Sequence, residues 1–116
     1  MPLLKTAPET YKEKGLALWD AIELLSGKWK VCILQNLLFG TMRFKDLQEN
    51  VCGITPKILS KELQALEMNL LITRTVNDTK PVTVSHALTQ HAQATKKVIE
   101  ALLQFGFEHR RLIKGK

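Results

Sequence analysis

Hydrophobic residues change their period twice along this chain. From Leu16 to Leu38, and again from Phe44 to Leu70, they recur every three or four positions. From Ile72 to Leu88 they alternate with polar residues, and from Ala94 onward the helical period returns. These patterns predict a helix over Leu16–Leu25, with Leu18, Ala21, Ile22 and Leu25 at core spacing, stopped by Ser26-Gly27. A second helix is expected over Lys28–Phe39, stopped by Gly40. Its apolar residues cover more than one face, so it reads as buried, with Cys32 as a small core residue. Residues 1–15 form a polar N-terminal arm, with a helical turn expected over Glu9–Lys14.

The most informative stretch is 41–67, TMRFKDLQENVCGITPKILSKELQALE. A short helix over Arg43–Asn50 places Phe44, Leu47 and Val51 on one face. The turn Val51-Cys52-Gly53-Ile54 follows, where Gly53 can adopt positive φ. Thr55 is a hydroxyl N-cap, and Pro56 takes the first helical position, where its missing N–H costs nothing. The helix it starts carries Leu59, Leu63, Leu66 and Leu70 on one face and Lys57, Ser60, Lys61 and Gln64 on the other. A helix–turn–helix whose second helix has a short, polar, basic outer face is what a DNA reader needs. An ordinary helical hairpin with a solvated face fits this stretch equally well, so the neighbouring segments must decide.

They favour the reader. Ile72–Val76 and Val82–Leu88 alternate and are rich in β-branched residues, and Asn77-Asp78-Thr79-Lys80-Pro81 forms turns. A β-hairpin directly after a helix–turn–helix is the layout of a winged helix. Arg74 and Lys80 would be its wing contacts. The last helix is expected from Thr89 to about His109 or a little beyond, roughly 30 Å at 1.5 Å per residue. Its stripe Ala94, Val98, Ala101, Leu102 and Phe105 is more apolar surface than one small domain covers. It reads as a dimerisation helix, packing with the N-terminal arm and with the first helix, where Leu18 and Ile22 are the candidate contacts, in preference to packing within the same monomer. The fold expected is therefore mainly α with a small β-hairpin (α+β). It is one winged helix-turn-helix domain over 1–116, divided into an arm (1–15), the helix-turn-helix (41–67), the wing (72–88) and a long dimerisation helix (89–112).

Composition refines this picture. With 116 residues, 45% hydrophobic and 24% charged, the chain can bury a core. No apolar run approaches the roughly 18 residues that span a bilayer, and no signal peptide is evident, so a cytoplasmic protein with no membrane partner is expected. The net charge of +6 suggests an acidic partner, but its location is telling. Residues 89–116 hold six Lys/Arg and two Glu, whereas 41–88 hold six Lys/Arg and five Asp/Glu. The reading stretch is nearly neutral, so recognition must come from the placement of a few side chains. The basic tail of Arg110, Arg111, Lys114 and Lys116 is a solvated end that could also touch DNA backbone.

Cys32 and Cys52 show neither metal-ligand spacing nor a disulfide framework, so no metal and no cofactor are expected. No nucleophile elbow, phosphate loop or paired carboxylates point to an enzyme. His86, His91 and His109 read as satisfied surface or interface histidines. Cys52 is a redox candidate because an adduct in the turn would shift the recognition helix. This leaves a second reading of the chain as a protein-interaction or thiol-switch module.

The run AIELLSGKWKVCIL at Ala21–Leu34 resembles the HxlR-type transcriptional regulators, relatives of the MarR-type winged-helix proteins. The similarity continues through Arg43-Phe44-Lys45-Asp46-Leu47, Gly53–Leu59, Leu63–Glu67, Leu70–Arg74 and Leu88-Thr89. It implies a homodimer that binds double-stranded DNA, with the recognition helix starting at Thr55 and the wing tip at Asn77–Val82. Lys57, Ser60, Lys61 and Gln64 would then meet base edges. Thr55, Arg43 and Lys45 would hold phosphates. Any small-molecule effector is unspecified. Three positions depart from the family pattern. Leu16 stands where many members have a cysteine. His86 stands where an aromatic residue is usual. The last helix opens Leu88-Thr89-Gln90-His91-Ala92 rather than Leu-Thr-x-x-Gly.

Overall fold

The computed structural model describes residues 10–115. Helix α1 spans Tyr11–Leu25 and α2 Lys30–Leu37, followed by a two-residue strand β1 at Met42–Arg43. Helices α3 (Phe44–Asn50) and α4 (Pro56–Met68) form the helix-turn-helix. Strands β2 (Ile72–Asn77) and β3 (Thr83–Leu88) form the hairpin, and α5 (Thr95–Ile113) closes the described chain. The sheet is antiparallel in the order β1-β3-β2.

Helix α1 begins earlier than the apolar period suggests because a capping box starts it. The Glu13 N–H donates to Thr10 Oγ1 at 3.1 Å, and the Thr10 N–H donates to the Glu13 carboxylate at 3.0 Å. The expected isolated turn is thus the first turn of α1, while the arm before Thr10 lies outside the described residues. No residue of α1 is buried, so Leu18 and Ile22 do not join the monomer's core as their spacing suggested.

The core is formed by Ile33, Leu34 and Leu37 of α2, Leu47 of α3, Leu59, Leu63 and Leu66 of α4, and Ile99 of α5. Cys32 is exposed, contrary to the sequence expectation. Helix α2 is covered by α3, β3 and α5, and its Cys32 side is left uncovered. Lys30 Nζ lies 2.8 Å from Glu62 Oε1, which ties the start of α2 to the middle of α4.

Leu70 is the clearest correction inside the helix-turn-helix. It does not continue the buried stripe of α4, because the helix ends at Asn69 in a Schellman motif. The Leu71 N–H donates to the Leu66 carbonyl at 2.9 Å and the Leu70 N–H to the Glu67 carbonyl at 3.0 Å. Leu71 is buried in the place Leu70 was expected to fill. Leu70 itself sits at φ +63°, exposed, where glycine is usual. A left-handed conformation costs an L-residue roughly 1–2 kcal/mol, partly offset by the greater freedom of glycine in the unfolded chain. Leu70→Gly should therefore stabilise the fold by about 0.5–1 kcal/mol, read as a higher urea midpoint with an unchanged m-value.

The last helix also starts later than expected. Thr89 Oγ1 accepts from the Ala92 N–H at 3.1 Å and donates to the Leu70 carbonyl at 2.7 Å. It therefore caps a 3-10 turn, His91–Ala94, and α5 begins only at Thr95. Along α5 Ile99 alone is buried, while Val98, Leu102 and Phe105 remain exposed. Helix α5 ends at Ile113, one residue beyond the expected 89–112.

Candidate nucleic-acid interface

Local chemistry presents α4 to solvent. Thr55 Oγ1 accepts from the Ile58 N–H at 3.2 Å, and Pro56 occupies the first turn. The Thr55 hydroxyl keeps its hydrogen to donate outward. Leu59, Leu63 and Leu66 bury one face, which leaves Lys57, Ser60, Lys61 and Gln64 exposed on the other, at positions i, i+3, i+4 and i+7.

The turn before α4 is held by contacts that the sequence did not reveal. Gly53 has φ +85°, and a Cβ there would stand 4.0 Å from the tip of the Trp29 indole. Conformation rather than space thus selects glycine. Gln48 Nε2 donates to the Ile54 carbonyl, bridging the turn from α3. Cys52 lies exposed on this turn. Trp29 is half-buried against the core, and Lys28 Nζ lies 4.8 Å from its ring centroid.

Strand β1 draws the start of α3 to the wing. Met42 pairs with His86, and Arg43 with Ser85. The Arg43 N–H donates to Asp46 Oδ2 at 3.3 Å, and Arg43 Nε lies 3.8 Å from the same oxygen, so Asp46 orients the guanidinium. Lys45 is exposed beside it, and Arg43 and Lys45 adjoin Thr83 and Val84 on β3 of the wing. Lys80 is exposed at the wing tip. Among the described residues, the ion pairs within 4.0 Å are Lys30–Glu62 and Arg43–Asp46, so Lys45, Lys57, Lys61, Arg74 and Lys80 keep their charges unpaired.

The two faces of the hairpin differ. Its outer face carries Thr83 and Ser85, tied by hydrogen bonds from Asn77 Nδ2 at 3.1 and 2.7 Å. Its inner face, toward α4, carries Arg74 opposite His86 and Val76 opposite Val84. His86 is a correction to the expected surface histidine: it is 4% exposed, and Nδ1 has no hydrogen-bond partner. Burial lowers its pKa below the ordinary 6.5, the Arg74 guanidinium lowers it further, and Glu67 partly opposes the shift.

A depressed imidazole pKa favours the fold while the ring is neutral. That contribution is present above 6.5 and is lost as pH falls from there through the folded value, because the unfolded chain binds the proton more readily. The melting temperature should fall between about pH 7.5 and pH 5. His86→Phe should flatten that decline, which melting curves across the range would measure.

These elements define a winged helix-turn-helix protein: five helices, a hairpin wing and a solvent-facing second helix of the motif. The HxlR-like helix-turn-helix family model matches residues 24–113, and the chain belongs to that family of transcriptional regulators. The chain is 33% identical over 83 residues to the HTH-type transcriptional regulator YodB of Bacillus subtilis (strain 168), covering 72% of this chain and 74% of that protein. YtcD, another HTH-type transcriptional regulator of that strain, is 29% identical over 98 residues, covering 84% of this chain and 78% of YtcD. The crystal structure of a MarR-family transcriptional regulator from Enterococcus faecalis V583 superposes with a TM-score of 0.75 at 26% identity, covering 97% of this chain and all of that one.

Proposed function

We propose that the protein is a cytoplasmic, sequence-specific DNA-binding regulator that acts as a homodimer on a two-fold-related operator. The observation that carries this reading is the exposed face of α4, with four polar or basic side chains in one row and their lysines unpaired. The dimer places two α4 helices in successive major grooves, about 34 Å apart. Gln64 suits bidentate contact with adenine. Lys57 and Lys61 suit guanine O6/N7 or phosphate, and Ser60 reaches either. Thr55 and the first amides of α4 hold a phosphate, Arg43 and Lys45 clamp backbone from α3, and Arg74 and Lys80 act from the wing.

The dimer interface is the uncovered apolar surface of α1 and α5. Leu18 is 63% exposed and Phe105 66%, and Ile22, Val98 and Leu102 are exposed as well. Ala21 and Leu24 of α1 line one apolar groove with Ala94 of the 3-10 turn and Val98 of α5, so the two surfaces adjoin. A lone domain rarely leaves so much apolar surface in water.

Selection of bound fragments from genomic DNA tests the function. The selected duplex should bind at least about 1,000-fold more tightly than an unrelated duplex at the same salt. Equal affinity for the two would refute sequence-specific regulation.

Cys52 supports a second reading of the same surface, because it is exposed on the turn that sets α4. A mixed disulfide there would displace the recognition helix. Treatment with oxidised glutathione should then weaken DNA binding by the wild type and spare Cys52→Ser. Equal affinity in both proteins removes the switch.

A further inference from the structure

Between α4 and the inner face of the wing runs an open groove of about 480 Å³. Phe44, Leu63 and Val84 give it an apolar floor, and Arg74, Glu67 and His86 also line it. The charges of Arg74 and Glu67 are opposite, and both side chains are exposed, yet they form no ion pair within 4.0 Å among the described residues. His86 brings a ring that is almost wholly buried and whose Nδ1 lacks a partner. Leaving such an atom unsatisfied is unfavourable.

We infer that this groove binds a small zwitterion of the free α-amino acid type, with its carboxylate on Arg74, its ammonium toward Glu67 and His86 Nδ1, and a compact apolar side chain on Phe44, Leu63 and Val84. The guanidinium fork matches a carboxylate in bidentate geometry. A simple anion would face Glu67 and a simple cation would face Arg74, whereas a zwitterion meets both charges. With hydrogen on Nε2, the neutral His86 ring offers Nδ1 as an acceptor for an ammonium N–H. The same burial that lowers the histidine pKa keeps the ring from repelling that ammonium.

Ser60 and Gln64 line the same groove. An occupied groove therefore competes with the contacts proposed for those residues, and the ligand and DNA weaken each other by the same factor. This regulatory consequence rests on α4 being the DNA-facing helix; the binding of the zwitterion does not.

Calorimetric titration of the full chain without DNA tests the site. The probes are L-leucine, L-methionine and L-phenylalanine, each with its N-acetyl and methyl-ester forms. At least one free amino acid should bind with a Kd of about 1 mM or tighter. Its capped forms should bind at least about tenfold more weakly, as should the free form to Arg74→Gln and Glu67→Gln, both at exposed positions. The site is overturned if no probe binds at about 10 mM, or if the capped forms or the two variants bind as tightly as the free acid and the wild type. Anisotropy with the selected duplex then reads the competition. The amino acid should release DNA from the wild type and not from Glu67→Gln. Release that is absent, or equal in the two proteins, refutes the competition while the calorimetric result stands. If the protein binds no DNA at all, the calorimetry still decides the site.

Discussion

Lys61→Ala and Gln64→Ala should each cripple operator binding, and in distinguishable ways. Both residues are exposed on α4, and neither belongs to the core, so alanine leaves the fold in place. Loss of the Lys61 charge removes a counterion-releasing contact. Affinity should fall roughly tenfold for operator and unrelated DNA alike, and the slope of log K against log salt should shrink by about 1. Loss of the Gln64 amide should cost about 1–3 kcal/mol on the operator alone, because a base edge loses its partner. Anisotropy titrations with both duplexes, between about 50 and 200 mM salt, separate the two effects. Wild-type binding by both variants would mean that α4 is not the reading helix.

Leu102→Asp should convert the protein to a monomer. Leu102 is half-exposed, so the isolated fold tolerates a carboxylate there. Buried at a two-fold interface, the same carboxylate would lose its water and face apolar side chains, which is strongly unfavourable. Sedimentation should give the monomer mass with an unchanged far-UV circular dichroism spectrum. Operator affinity should fall by roughly 100-fold or more, because two linked half-sites bind far more tightly than one. Ile99→Asp makes the control: Ile99 is 2% exposed, so that variant should lose its fold rather than its partner. A Leu102→Asp protein that stays dimeric would place the interface elsewhere.

The two variants differ in what made their positions visible. Lys61 and Gln64 could be assigned to a face because Thr55-Pro56 marks the helix start and the leucines mark its period. Leu70 shows where such reasoning fails. Leu70 and Leu71 are adjacent and equally apolar, and only the left-handed backbone at Leu70 determines that Leu71 turns inward. Strand β1 was invisible because two residues show no alternation, and pairing with Ser85 and His86 alone makes them a strand. Cys32 is exposed because a helix with apolar residues all round can still leave one side uncovered.

Local chemistry, written in the sequence alone, determined the caps, the Gly53 turn, the helical stripes and the hairpin. Each depends on residues within a few positions of one another, so the chain itself states them. Family membership was legible for the same reason, since its motifs are short runs in a set order. Only the tertiary structure decided which stripes are covered, leaving α1 up to Glu23 and the outer face of α5 in water while Ile99 is buried. It alone brought Glu67, Arg74 and His86 around one groove. Periodicity tells which residues share a face, but not what will cover that face. Groups on different elements meet only where strand register and helix packing carry them, and no local signal reports that meeting.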